Sequence, residues 1–204
     1  PGILHQLASY ERMTGNSSAA RQYALLCLKR GEEFQKWIAN GGELTKLIDD
    51  SYGGGPDWMD GITLAKAELA QLYFAEGNYE QSAKFALMAG KEEMNDPEPV
   101  SNDGSVSNYL LYATCKVKLG DKKEALKEMA YFVNHMPKLG EQEKSLNRPL
   151  SQKAGAVNTM HLWENLRDWY SENNEIELAK TCNDEVIKYA QQYHLEHLVV
   201  EWRH

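Results

Sequence analysis

The chain has 204 residues, 42% of them hydrophobic and 25% charged, which is the composition of a folded globular protein with a substantial core. Its formal charge of −8 repels phosphate backbones, and without a Lys/Arg-rich run nucleic acid is excluded as a partner. The apolar runs ("LLCLKR", "HLVVEWRH") are broken by charge and far too short to span a bilayer.

The chain opens on "PGILHQLASY", with neither an initiating Met nor a signal-peptide pattern, so an excised or processed piece of a cytoplasmic protein is expected. Cys27, Cys115 and Cys182 are odd in number and lack CxxC spacing, as reduced thiols do rather than a disulfide framework or a zinc site. Next comes "ARQYALLCLKRGEEFQKWI" (20–38), a helical pattern with a turn expected at Gly31-Glu32. After the breaker-rich "DDSYGGGPDWMD", the stretch around "LYFAEGNYEQSAKFAL" (72–87) reads as two helices. Leu69, Tyr73 and Phe74 share a face before Gly77-Asn78, and Ala83, Ala86 and Leu87 share one after it. Glycine takes the left-handed conformation that stops a helix, and Asn suits the turn. "NYLLYATCKVKLGDKKEALKEMAYFVNHMP" (108–137) repeats the pattern around Gly120-Asp121, and "LWENLRDWYSENNEIELAKTCNDEVIKYA" (162–190) around Asn173-Asn174. From 184 to 204 the apolar spacing continues through Val186, Ala190, Tyr193, Leu198 and Trp202 with no Gly or Pro stop, which predicts one helix to the end.

Four such units, about 18–50, 62–94, 106–138 and 159–204, make an internal repeat. Trp163, Leu166, Tyr170 and Ala179, with Tyr109, Ala113, Ala125 and Pro137, and Leu69, Ala70, Tyr73 and Ala89, resemble the signature of the tetratricopeptide repeat family. Arg167, Asn183, Lys116 and Met129 depart from it, and Ser82 replaces a small Ala. The elbows lie 46, 43 and 54 residues apart (31 to 77 to 120 to 174), against about 34 in the family. The excess falls in the breaker-rich links, including "NDPEPVSNDG" and "MPKLGEQEKSLNRPLSQKAG".

The resemblance implies an all-α, right-handed superhelix of about four hairpins plus a C-terminal helix, in one domain. It also implies a non-enzymatic scaffold that binds a protein or peptide on its concave face. Aligned on the family, the side chains turned to that face are Arg21, Gln71, Phe74, Thr114, Lys118, His161, Glu164, Asn165, Asp168 and Glu172. A clamp for a terminal carboxylate is not expected, because its Lys, Asn and Arg positions hold Ala67, Gln71, Leu110 and Thr114. The alternative reading is a ligand- or peptide-sensing domain of a larger bacterial signalling or transcription protein.

Catalytic and cofactor readings fare worse. "YGGGPDW" (52–58) lacks the Lys-Ser/Thr of a phosphate loop. His197, Glu201 and His204, with His194 nearby, would share one face if the last helix ran to the end, yet no second pair completes a metal shell, nor do His161 and Glu164. No cofactor and no metal are expected. Leu195, Val199 and Trp202 on that helix would leave an apolar patch, so the helix is expected either to pack on a second copy, as a homodimer, or to continue into further chain that was removed.

Overall fold

The computed structural model describes residues 2–41, 57–94, 103–145, 149–199 and 202. Within these, 88% of residues are helical and none is in a strand. In chain order the helices are α1 (Gly2–Met13), α2 (Ser17–Ala39), α3 (Asp57–Ala75), α4 (Tyr79–Met94), α5 (Asp103–Lys118), α6 (Lys122–Ser145), α7 (Pro149–Glu172) and α8 (Ile176–Tyr193), followed by a 3-10 turn, Glu196–Leu198.

The helices pair as α1–α2, α3–α4, α5–α6 and α7–α8, and one piece of backbone chemistry joins each pair. At the second elbow Gly77 has φ 75°. Its N–H donates to the Phe74 carbonyl at 3.0 Å and the Asn78 N–H donates to the Tyr73 carbonyl at 2.9 Å. That pair of hydrogen bonds closes a helix end on a left-handed residue. The same pair of bonds recurs at Gly15-Asn16, Gly120-Asp121 and Asn174-Glu175. At the first three elbows the second residue also starts the next helix. Its side-chain oxygen accepts from the N–H three residues on, at 3.4 Å for Asn16, 3.3 Å for Asn78 and 3.3 Å for Asp121.

The first elbow is therefore Gly15-Asn16, not the expected Gly31-Glu32, which lies inside α2. Gly31 is buried for another reason: a Cβ there would run into Ile62 Cγ1 and Cδ1, so its bare backbone lets α2 lie against α3. The first hairpin thus occupies Gly2–Ala39, turning before rather than at residue 31.

Four residues after each capping position stands a small residue, Ala20, Ser82, Ala125 or Ala179, each with no exposed surface. Eight residues before it, Ala8, Ala70 and Ala113 are equally buried. These are the helix crossings, and the approach at the second lets Ser82 Oγ donate to the Ala70 carbonyl at 2.8 Å. In the fourth hairpin Arg167 takes the place of the alanine. It is 6% exposed and held by Asp168 Oδ1 at 2.8 Å and Asn183 Oδ1 at 3.3 Å, so the two departures from the family pattern answer each other.

Successive hairpins touch through α2–α3, α4–α5 and α6–α7, and the first helices touch one another in the order α1, α3, α5, α7. Gly90 of α4 meets the Tyr109 ring much as Gly31 meets Ile62. The largest core cluster lies in α5–α8, where Tyr109 stacks on Phe132 at 4.5 Å.

Two expectations about boundaries are corrected. The link expected at 136–155 is helix on both sides of residues 146–148. Lys138, Leu139 and Glu141 through Lys144 favour helix, and Pro149 occupies a first position where its missing N–H is not needed. The helix expected over 184–204 stops at Tyr193. His194 takes φ 56°, its N–H donates to the Gln191 carbonyl at 3.5 Å, and the Leu195 N–H donates to the Ala190 carbonyl at 2.8 Å. The chain then folds back: Leu195 is buried, and Val199 and Trp202 pack on the core rather than standing as an apolar patch.

Candidate partner-binding face

Nine of the ten sequence-derived site residues lie on α3, α5 and α7, the first helices of their hairpins. Gln71, Thr114 and Asp168 stand at one register, seven residues before the capping position of each elbow, and so form a row across three neighbouring helices. Lys118 and Glu172 form a second row, three residues before it. Arg21 is the exception. Because the first elbow is at Gly15, it lies on α2, a second helix, where it is ion-paired with Glu76 and set 5.4 Å over the Tyr73 ring.

The residues differ in how free they are. Gln71, Lys118, His161, Asn165, Asp168 and Glu172 are exposed. Thr114 is spent on packing, its Oγ1 accepting from Trp169 Nε1 at 3.2 Å and tying α5 to α7. Between α3 and α5 the surface is aromatic and cationic. Phe74 meets Tyr79 edge-on at 5.6 Å, and Lys118 Nζ hovers 5.9 Å from the Phe74 ring and 5.3 Å from Tyr79. Sequence reasoning missed Tyr79, although its place directly after "GN" on the elbow marks it as the first residue of a second helix.

Along α7, His161, Glu164, Asn165, Asp168 and Glu172 recur at helical spacing and make one polar, mainly acidic stripe. His161 Nδ1 lies 2.9 Å from Glu164 Oε2, and Asp168 is held by Arg167. The face therefore changes from aromatic and cationic at α3–α5 to acidic at α7.

Elsewhere, titratable groups are tuned by burial. Desolvation raises the thiols of Cys27 and Cys115, and pushes Cys182 up to about 12, which favours the protonated form in all three. Burial likewise raises the Tyr109 and Tyr170 hydroxyls, and raises Tyr112 to about 12. Among the described residues no three His, Cys, Asp or Glu side chains group so as to hold a metal ion. Of the C-terminal candidates, His194 is the helix-capping residue and His197 lies on the 3-10 turn, so the helical face their spacing required does not form there. Glu201 and His204 lie outside the described residues. Among the described residues no helix is long and apolar enough to cross a membrane.

Comparison with protein-family models, with characterised proteins and with solved structures finds no match to this chain.

Proposed function

We propose that the chain is a tetratricopeptide-like, right-handed superhelical scaffold that binds a peptide or protein segment along its first helices. The supporting observation is the side-by-side order α1, α3, α5, α7, which carries equivalent residues into rows. A segment lying across these rows meets Phe74, Tyr79 and Lys118 at one end and Asp168 and Glu172 at the other. The complementary ligand is extended, with an apolar or acidic residue for the α3–α5 end and Lys or Arg for α7.

Selection of peptides from a random library on the purified chain tests this. Bound peptides should carry basic residues toward one end, and their affinity should fall about tenfold, ~1.4 kcal/mol, in both Lys118→Glu and Glu172→Lys. Far-UV circular dichroism should be unchanged in these variants. Binders indifferent to both substitutions would refute the assignment of this face.

A further inference from the structure

Charge on α3, α5 and α7 is almost wholly engaged within the fold. On α3, Lys66 is ion-paired with Glu92, and Glu68 with Arg12. On α5, Lys116 Nζ lies 3.5 Å from Asp121 Oδ2. On α7, Glu164 Oε2 lies 2.9 Å from His161 Nδ1, and Asp168 Oδ1 lies 2.8 Å from Arg167 Nε. Among the described charged side chains of these three helices, only Lys118 and Glu172 have neither an ion pair nor a hydrogen bond. They are the two members of one row, three residues before the capping position on neighbouring helices. Even so they are not paired with each other. Lys118 Nζ lies instead on the side of α3 and α4, 5.3 Å from the Tyr79 ring and 5.9 Å from the Phe74 ring. Ring quadrupoles hold an ammonium in place without cancelling its charge.

Resting on the peptide-binding reading of this face, we propose that its ligand is an extended segment with one acidic and one basic side chain four residues apart. The acid meets Lys118 and the base meets Glu172. Charge complementarity selects this occupant. A wholly acidic segment would meet Lys118 but face Glu172 and a net charge of −8, and a wholly basic one would face Lys118. Only a segment of both signs answers both free charges. Arg167 already answers Asp168, which leaves Glu172 as the acid that reads the ligand.

The spacing follows from the helices. Neighbouring helices pack about 8–10 Å apart, and Lys118 leans away from α7, so its charge and that of Glu172 stand roughly 10–14 Å apart. An extended chain returns a side chain to the same side at every second residue, rising about 3.3 Å per residue. Four residues therefore span about 13 Å on one side, two span only about 7 Å, and three turn the second charge away.

Fluorescent peptides of about nine residues, blocked at both ends in a Thr-rich host that favours extended backbone, test this by anisotropy. Each carries one Glu and one Lys separated by two, three or four positions, with single-charge peptides beside them. Separation by four should bind about fivefold more tightly than the other separations or either single charge. Lys118→Glu and Glu172→Lys should each remove that preference. The double variant should recover it, because the two charges have only changed places, and a merely structural role for either residue gives no such rescue. A face that binds library peptides through Lys118 and Glu172 but ranks the separations alike overturns this pairing and leaves the peptide-binding reading standing. Equal binding of wholly acidic or wholly basic peptides does the same. Failure of every peptide, library and designed, to bind overturns that reading and this one with it.

Discussion

Single residues here act through the space or charge they withhold. Gly31 is the clearest case, since its missing side chain is the groove that Ile62 fills. Alanine is the better helix former by about 1 kcal/mol, so the substitution would help an isolated helix. In the folded chain the new methyl collides with the Ile62 side chain, and overpacking of this kind costs about 1–3 kcal/mol. Gly31→Ala should therefore lower the urea midpoint. Ile62→Ala should cost less in the Gly31→Ala background than alone, with a coupling of about 1 kcal/mol or more. Additive effects in that double-mutant cycle would mean that α2 and α3 do not meet there.

Glu93 illustrates withheld charge. Burial raises its carboxyl above the ordinary 4.5, the neighbouring Glu92 adds to the rise, and the bond at 3.1 Å from buried Asn108 Nδ2 pulls the other way. A carboxyl raised by folding binds its proton more tightly in the native state, so ionising it erodes stability as pH climbs from about 4 through the raised value. Glu93→Gln keeps an acceptor for Asn108 without the charge. The variant should match the parent near pH 3.5 and be the more stable at pH 7, measured by urea unfolding at both. An equal offset at the two pH values would show that Glu93 ionises as freely in the folded chain as in the unfolded one.

At the scale of the element, the helix–elbow–helix grammar was legible because its chemistry is local. Gly77-Asn78, Gly120-Asp121 and Asn173-Asn174 each announced a turn, and the fold places one there. The first elbow was also written locally, in Gly15-Asn16, where a left-handed glycine precedes a side chain short enough to cap the next helix. Gly31-Glu32 lacks that second half, since Glu is too long and flexible for the capping position. Reading glycine alone confused a turn with a packing contact, and only Ile62, far along the chain, tells them apart. The C-terminal stop was not legible. His194 is no helix breaker, and what turns the chain is the burial of Leu195 and Trp202 on residues distant in sequence. Of the candidate residues, nine were assigned by aligning the units on the repeat signature, and they lie on α3, α5 and α7. The misplacement of Arg21 followed from the misplaced elbow, and the engagement of Thr114 by Trp169 depends on a neighbouring hairpin that no local pattern reveals.

For the molecule as a whole, stability should be graded along the chain, because each hairpin is held mainly by its neighbours. The C-terminal half shares one large cluster, in which Tyr109, Phe132, Trp163, Leu166, Trp169 and Tyr170 are buried together and the tail is laid over it. The N-terminal end is built on smaller residues: among the described residues, the cluster joining α1 and α2 to α3 has Ala8, Ala24 and Leu69 as its buried members. At the end of α1 the main polar tie to the array is Arg12, which grips Glu68 through two nitrogens at 2.5 and 3.4 Å. Burying apolar area at about 25 cal/mol per Å² favours the aromatic half over the alanine-rich end. Native-state hydrogen exchange should therefore show α1 and α2 opening at lower free energy than α7 and α8. Arg12→Ala leaves the Glu68 carboxylate, about one-tenth exposed, without its partner. Discounted for the exposure of Arg12, the loss is about 1–2 kcal/mol, a rise of roughly five- to thirtyfold in the opening of α1. Exchange in α7 and α8 should not change. If every helix exchanges at one common rate, and Arg12→Ala shifts them all together, the chain is a single cooperative unit and the graded array is wrong.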